Sequence, residues 1–344
     1  MSFVVTVLPS GRSFECDADE PLLSAAMRAG VGLPYGCKDG ACGSCKCKLV
    51  SGDVALGAHQ GTALSEAEEA AGFTLACQAR PRSAITLESR VVVGLGEFPI
   101  RKLPSRVNAI EQVAPDVKVL KLQLPGGDPL RYHAGQYMEI ILRDGARRSY
   151  SMGNAPHNGP GVEFHIRHTP GGKFTDHVFG PMKEREVLRM EGPYGSFFLR
   201  EDSDKPMILL ASGTGFAPIK ALIEHVRFKR ITRPAVLYWG GRRLHDLYMD
   251  AWVKACVAEM PTLSYVPVIS DAPPEDGWHG RDGFVHRAVM ADFPDMSGHQ
   301  VYACGAPIVI DSARAEFIAQ CKLPEDEFYA DSFITEADKA RAAA

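Results

Sequence analysis

The sequence predicts a multidomain chain of mixed α+β and α/β class, and three observations predict it. Residues 36–47 read GCKDGACGSCKC and gather four of the nine cysteines in a small N-terminal block. Residues 105–200 are a succession of short β-like runs broken by PGGD, RDGA and NGPG, the pattern of a small antiparallel barrel. From residue 206 an apolar strand, a glycine turn and a helix open an alternation of strands and helices, the pattern of a parallel α/β domain. The expected division is 1–93, a linker at 94–104, then 105–202 and 203–344.

Composition and charge remove several function classes. A net charge of −4 advertises no basic face, so no nucleic-acid partner is expected. No apolar run reaches the roughly 18 residues of a membrane span. The opening MSFVVTVLPSGRSFECDADE lacks a basic segment followed by an apolar one, so no signal peptide is expected and the cytoplasm is the expected compartment. There, clustered cysteines are metal ligands or catalytic groups rather than a disulfide framework.

In the first block FVVTVL (3–8) alternates as a strand does. PLLSAAMRAG (21–30) reads as a short helix, with Pro21 near its start and Gly30 just past its end. LSEAEEAAG (64–72) carries Ser65 and Glu68 at capping-box spacing and Gly72 as a stop. ITLESRVVV (85–93) reads as a closing strand, and GLGEFPIRKLP (94–104) as an aperiodic linker. Cys37, Cys42 and Cys45 stand as C-x4-C-x2-C, a [2Fe–2S] spacing that one distant cysteine completes. Cys77, in FTLACQAR, is the candidate fourth ligand. The alternatives are unligated thiols or a zinc knuckle, which favours two C-x2–4-C pairs, and the second pair is missing. Gly36, Gly40 and Gly43 let the loop turn tightly and bring its N–H groups close to the cluster. Cys47 is expected to point away from it, and Cys16 to be a small hydrophobe. About the first ninety residues, including LPYGC, resemble a plant-type ferredoxin domain, which implies a β-grasp fold.

In the second block RVNAIEQV, VKVLKLQL, QYMEIIL and GVEFHIRHT are the strand candidates. RRSYSMGN (147–154) holds Arg148, whose planar fork suits a pyrophosphate, and Tyr150, whose flat face suits an isoalloxazine ring. Ser151 can bond the ring's N5. HTPGGKFTDHV (168–178) puts Gly171 and Gly172 before a helix start expected at Thr175, where N–H groups suit phosphate oxygens. EGPYGSFFL (191–199) reads as a tight turn into a strand. Together the three stretches resemble the FAD-binding barrel of the ferredoxin–NADP reductase family. That resemblance implies pyrophosphate binding by Arg148, packing of Tyr150 on the flavin, Ser151 facing N5, and phosphate held by the turn from Gly171 to Thr175. His165 and Arg167, on the next strand, read equally as a solvated face or as a flavin edge.

In the third block SGTGFAP (212–218) follows the strand MILLA and opens a helix, so Gly213, Thr214, Gly215 and Pro218 form a G-x-G-x-x-P turn suited to a pyrophosphate. LYWGG (237–241) lacks the terminal Asp or Glu of the ordinary dinucleotide fingerprint. The turn resembles the nicotinamide domain of the same reductase family. VYACGAP (301–307) fits that family's cysteine–glycine motif, which implies Cys304 and Gly305 against the nicotinamide; the alternative is a buried core cysteine. In EFYADSF (327–333), Phe333 stands where the family carries an aromatic over the flavin; Tyr329 or Phe328 is the alternative, because eleven residues follow Phe333. Arg242 and Arg243 read as ligands of a 2′-phosphate or as a solvated pair. Asp246 and Tyr248 in RRLHDLY resemble NADH-using members, so NADH is expected, with NADPH as the other possibility.

The three blocks compose a mechanism. A nicotinamide gives two electrons at once, a [2Fe–2S] cluster takes one, and a flavin handles both. The order of blocks resembles reductases of aromatic-ring dioxygenases and multicomponent monooxygenases, and also CDP-6-deoxy-3,4-glucoseen reductase. The resemblance implies an enzyme, an NAD(P)H-dependent flavin and iron–sulfur reductase with a protein electron acceptor. The expected acceptor is an oxygenase component; a sugar-nucleotide dehydrase is the alternative. A non-catalytic redox sensor is a third reading, of another class, which turnover of NADH with an artificial acceptor would remove.

Overall fold

The computed structural model describes residues 1–126 and 129–335; the PGGD turn at 125–128 lies partly outside them, as does most of the tail after Phe333. The chain divides into two units, Met1–Pro99 together with the residues from Ile334, and Ile100–Phe333.

In the first unit β1 (Ser2–Leu8) alternates as its sequence does, with Val5 and Val7 wholly buried. It pairs antiparallel with β2 (Arg12–Asp17). The apolar face of α1 (Leu22–Arg28) buries Leu22, Leu23, Ala25 and Ala26. After the cysteine loop come β3 (Lys46–Ser51), β4 (Val54–Leu56), α2 (Glu66–Ala70), β5 (Phe73–Leu75), β6 (Ala79–Pro81) and β7 (Ile85–Glu88). The main sheet runs β2-β1-β7-β3-β5, with only β1 and β7 parallel, a β-grasp arrangement; β4 and β6 form a separate pair. The capping box forms in full: the Ser65 hydroxyl accepts the Glu68 N–H, and the Glu68 carboxylate accepts the Ser65 N–H. The closing strand stops at Glu88 rather than running to 93. Beyond it the Ser89 N–H bonds the Leu8 carbonyl at the end of β1 and the Val92 N–H the Gly32 carbonyl of a loop, so the ladder does not continue.

The second unit begins with β8 (Arg101–Ala114), which starts inside the stretch expected as linker because Arg101–Arg106 pair with β13 (Val187–Tyr194). Between them lie β9 (Val117–Gln123), β10 (Tyr137–Ile141), β11 (Arg147–Ser151), β12 (Gly161–Arg167) and α3 (Lys173–Phe179). The six strands form one antiparallel sheet, β11-β10-β13-β8-β9-β12. Past the end of β11, the Gly153 N–H donates to the Glu163 carbonyl at 2.7 Å and brings the two edges of that sheet together. Its core includes Leu120, Met138, Ile140, Phe164, Ile166 and Met190. Two expectations need correction. The helix starts at Lys173 after Gly172, not at Thr175, because the Thr175 hydroxyl turns back to the Thr169 carbonyl instead of capping. EGPYGSFFL is the end of β13 rather than a turn into a strand, since pairing with β10 ends at Tyr194 and Gly195 takes a positive φ of 93°.

The remaining strands are β14 (Met207–Ser212), β15 (Ala235–Gly241), β16 (Leu263–Ile269), β17 (Arg281–Asp282), β18 (Gln300–Gly305) and β19 (Phe328–Ser332). The helices are α4 (Phe216–Lys229), α5 (Asp250–Glu259), α6 (Val285–Asp292) and α7 (Pro307–Cys321). The sheet is parallel throughout, in the order β17-β16-β15-β14-β18-β19. Alternation along β14 sends Met207, Leu209 and Ala211 into the core that includes α4 and α5, and Ile208 and Leu210 into the core that includes α6 and α7. The first core continues into the antiparallel half through Ala134, Ala155, Phe197 and Leu199. The chain runs outward from β14 to β17 and then returns to β18, so strand order reverses between β14 and β18, where ligands bind such sheets. No helix among the described residues is long and apolar enough to cross a membrane.

Candidate functional site

The four cysteines of the predicted set fall into two pairs. Cys37 is hydrogen-bonded to Cys42, and Cys45 to Cys77. Among the described residues no three His, Cys, Asp or Glu side chains converge as a single ion requires. Two thiols for each of two irons is the donor set of a [2Fe–2S] cluster, so the loop fits that group and not a zinc knuckle. Backbone N–H groups aim at the sulfurs: that of Cys37 lies 3.4 Å from Cys42 Sγ, and that of Gly40 bonds Cys77. The hydrogen bond from Cys37 outweighs burial and lowers the Cys42 thiol. The bond from Cys45 likewise lowers Cys77. Gly40 has a φ of +81°, and a Cβ there would stand 2.9 Å from the Ala58 carbonyl, so the loop follows this path only with glycine. Cys47 and Cys16 are buried, and burial pushes their thiols up to about 12 and about 11.

In the antiparallel half, alternation along β11 puts Arg148 and Tyr150 on one face. Tyr150 packs against Phe174 and Phe164, with ring centroids 5.3 and 6.2 Å apart, and burial raises its hydroxyl. The Arg148 guanidinium bonds the Arg147 carbonyl at 2.7 Å. Ser151 is buried at the strand end, and its hydroxyl donates to Asp331 Oδ2 at 2.7 Å. The 171–175 turn is held by its own residues: the Gly171 N–H goes to Asp176 at 3.0 Å, and Thr175 closes on Thr169. A half-buried tyrosine face with a guanidinium beside it fits a ring bearing a pyrophosphate. His165 is enclosed rather than solvated, with one ring nitrogen on Glu163 and the other on the Tyr248 hydroxyl, both at 2.8 Å. Arg167 reaches Asp246 at 2.8 Å beside Gly213.

In the parallel half, Gly213–Gly215 form one tight turn from β14 into α4, with Pro218 in the helix's first turn. A Cβ on Gly215 would meet the Cys304 carbonyl oxygen at 2.1 Å, so the turn seats directly on the end of β18. Cys304 is buried, and burial, then the charge of Asp331, pushes its thiol up. Gly305 accepts the Phe333 N–H at 2.8 Å, and Phe333 packs partly buried against the core. Tyr329 stacks on Tyr302 and Phe328 packs edge-on to Phe317, so both alternatives to Phe333 are core residues. Arg242 is exposed, while Arg243 pairs with Asp271 at 3.0 Å. Asp246 is a buried brace: it takes the N–H groups of Arg242 and Arg243, which with Arg167 outweigh burial and hold its carboxyl below the usual range.

The switch point therefore brings Ser151, Asp331, Cys304 and the glycine turn together, since Cys304 and Asp331 are register partners of β18 and β19. Sequence reasoning missed Asp331, Trp239, Lys220 and Glu224. Trp239 Nε1 donates to the Gly213 carbonyl at 3.0 Å. Lys220 and Glu224 had a local signal: they stand four apart on an otherwise apolar helix face and are both buried.

The chain matches three family models: a 2Fe-2S iron-sulfur cluster binding domain over residues 5–82, an oxidoreductase FAD-binding domain over 104–199 and an oxidoreductase NAD-binding domain over 209–315. It is 39% identical to the CDP-6-deoxy-L-threo-D-glycero-4-hexulose-3-dehydrase reductase of Yersinia pseudotuberculosis, covering 97% of this chain and 99% of that one. It is 34% identical to reductase component 2 of the terephthalate 1,2-dioxygenase of a Comamonas species, over 97% and 98%. Among solved structures, the Amycolatopsis cytochrome P450 reductase GcoB superposes with a TM-score of 0.76 at 32% identity, over 96% of this chain and 98% of that one. With all three domains present in this order and whole-length relatives on either side, the chain belongs to the NAD(P)H-dependent iron–sulfur flavoprotein reductases.

Proposed function

We propose that this reductase takes a hydride from NADH onto FAD and passes single electrons through its [2Fe–2S] cluster to an oxygenase component. In this reading Cys37, Cys42, Cys45 and Cys77 ligate the cluster. Arg148, Tyr150, Ser151 and the 171–175 turn hold FAD, and Gly213–Gly215, Pro218, Cys304 and Gly305 receive the nicotinamide. The domains are 1–93, a flavin domain that begins with β8 and runs to 202, and 203–344, and the protein works in the cytoplasm, where the cysteines outside the cluster stay reduced. The observation that carries the reading is the Ser151–Asp331 hydrogen bond, at 2.7 Å, which joins the end of the flavin strand to the strand beside Cys304.

The bound groups supply the redox chemistry: a hydride from the nicotinamide, two- and one-electron exchange at the flavin, one electron at the cluster. The chain's own residues orient and shield. Asp331 fixes the direction of the Ser151 O–H. The Cys304 thiol, kept protonated by burial, presents a small uncharged surface. The glycine turn offers backbone N–H groups at the start of α4 to the pyrophosphate.

A sugar-nucleotide dehydrase as acceptor is the second reading, favoured by the whole-length identity to the Yersinia reductase. A sensor without turnover needs no hydride path, and the paired flavin and nicotinamide domains argue against it. An anaerobic NADH titration followed by absorbance and low-temperature electron paramagnetic resonance tests the electron path. Bleaching of flavin and cluster bands with a rhombic [2Fe–2S] signal is expected; flavin bleaching alone refutes transfer to the cluster. Reduction assays with purified oxygenase and dehydrase components then separate the acceptors.

A further inference from the structure

We infer that Lys220 is a positioning residue for hydride transfer, clamping the end of the flavin strand to the helix that opens at the nicotinamide turn. The inference rests on the roles given above to Ser151 and to the 213–215 turn.

Lys220 lies on α4, five residues beyond Gly215, and is 4% exposed. Its ammonium has three protons and three acceptors: the Gly153 carbonyl at 2.9 Å, Glu224 Oε1 at 2.7 Å and Glu163 Oε1 at 3.1 Å. The second oxygen of Glu224 accepts the Ala155 N–H at 2.8 Å. One turn of α4 thus holds two backbone groups of the segment that follows Ser151. From the other side the Gly153 N–H is held by the Glu163 carbonyl, so residues 153–155 are fixed between the antiparallel sheet and the helix. A Cβ on Gly153 would stand 2.9 Å from His165 Nε2, which leaves this segment no room to slide toward β12.

A second route runs from the same cluster to the turn itself. His165 bridges Glu163 and the Tyr248 hydroxyl. Tyr248 stands edge-on to Trp239, with centroids 5.2 Å apart; Trp239 stacks on Phe216 at 3.8 Å and bonds the Gly213 carbonyl. The first route joins residues 153–155 to Lys220 and Glu224 on α4, and the second joins Glu163 to the 213–216 turn.

Burying one ammonium and two carboxylates gains little cohesion over apolar side chains of the same volume, because desolvation offsets the attraction. What such a set fixes is geometry: each donor has one partner, and each partner belongs to a different element. Hydride transfer depends steeply on the approach of donor and acceptor, and a displacement of about 1 Å costs roughly 10²-fold in rate.

The test compares wild type with the double variant Lys220→Met/Glu224→Gln, which removes one charge of each sign, and with Glu224→Gln alone. Four quantities are read: FAD per chain, half-saturating NADH, the limiting rate of flavin reduction with NADH and its 4-deuterated form, and the long-wavelength charge-transfer absorbance of reduced protein with NAD⁺. FAD content and half-saturation should stay within about twofold. The limiting rate should fall roughly 10²-fold with a larger isotope effect and a weaker long-wavelength band, and the single variant should lie between. An unchanged limiting rate and band in FAD-loaded variants overturns the inference. So does a loss of FAD content and NADH half-saturation in step with the rate, which marks a structural role only. Should the double variant fail to fold, the single variant decides by the same outcomes. FAD-loaded wild type that shows neither reduction nor band overturns the functional reading and this inference together, whereas normal wild type with normal variants overturns this inference alone.

Discussion

Gly215→Ala probes the seat of the glycine turn on the end of β18. The new Cβ would lie 2.1 Å from the Cys304 carbonyl oxygen, 2.4 Å from its carbon and 2.6 Å from Gly305 Cα. Carbon–carbonyl contacts begin near about 3.3 Å, so the turn and the strand end must part by roughly 1 Å. All three atoms are backbone, and no rotamer relieves the clash. Gly305 is equally close to the end of β14, where a Cβ on it would meet the Ser212 carbonyl at 2.6 Å. Overpacking of this kind costs about 1–3 kcal/mol, against a typical stability of about 5–15 kcal/mol, so the protein still folds. For a unit of this size each kcal/mol lowers Tm by about 2–4 °C. If the turn receives the nicotinamide as proposed, moving it about 1 Å also misplaces that ring, with up to roughly 10²-fold in rate at stake. Expected results are a lower Tm, a higher half-saturating NADH, a slower flavin reduction, and unchanged FAD and cluster absorbance per chain. Gly61→Ala is the control, since nothing stands within 4 Å of a Cβ there. Wild-type NADH saturation, rate and Tm in Gly215→Ala would refute the reasoning.

Cys77→Ser should lose cluster absorbance while NADH–ferricyanide activity through the flavin persists, because Cys45 loses its partner and the other pair is untouched; full cluster absorbance in that variant ends the assignment. Asp271→Asn should raise kcat/KM for NADPH about three- to tenfold at low salt and less at high salt, since Asp271 neutralises Arg243 and adds a negative charge where a 2′-phosphate would approach; an unchanged NADPH constant counts against it. Acid should weaken the second unit in stages. Burial holds His165 below its ordinary 6.5, so the unfolded chain takes up the proton first and stability falls below about pH 6.5. Burial alone would raise Glu163, but the His165 hydrogen bond and the Lys220 charge outweigh it and bring the carboxyl from 4.5 to about 2. That contribution, on the order of 3 kcal/mol, is complete above about pH 4.5 and lost toward pH 2. Urea midpoints should fall from pH 7 to 5, where His165 acts, and fall again from pH 4.5 to 2, where Glu163 acts; a rise in either window contradicts the assignment made for it.

What the sequence made legible was local. Cys37, Cys42 and Cys45 lie within nine residues, so one loop determines their arrangement, and the capping box at Ser65 and Glu68 needs only a single helical turn. The strand–turn–helix at 207–229 was readable because an apolar run and a glycine turn are properties of short windows. Thr175 misled because threonine is a good cap in general, whereas here its hydroxyl closes the loop before the helix. The strand expected to reach Val93 ended at Glu88 because an apolar run says nothing about whether a neighbouring strand is long enough to pair with it. Asp331 was out of reach altogether: it meets Ser151 across 180 residues, and the two lie on strands of different sheets. His165 was ambiguous for the same reason, since its second partner, Tyr248, belongs to the other half of the unit.

The Ser151–Asp331 bond also sets a schedule for biosynthesis. Asp331 sits on β19, the last strand among the described residues, and its partner was translated 180 residues earlier. At about 5–20 residues per second, the ribosome reaches it roughly 10–35 s after Ser151. Once β13 has been translated, the antiparallel half is complete for the rest of that interval, but its serine has no acceptor, and the parallel sheet lacks its edge beside Cys304. Completion of the proposed hydride site is therefore a late event in the life of the nascent chain. Messages truncated before codon 331 should yield polypeptide that has the iron–sulfur and flavin segments but never the finished junction between flavin and nicotinamide.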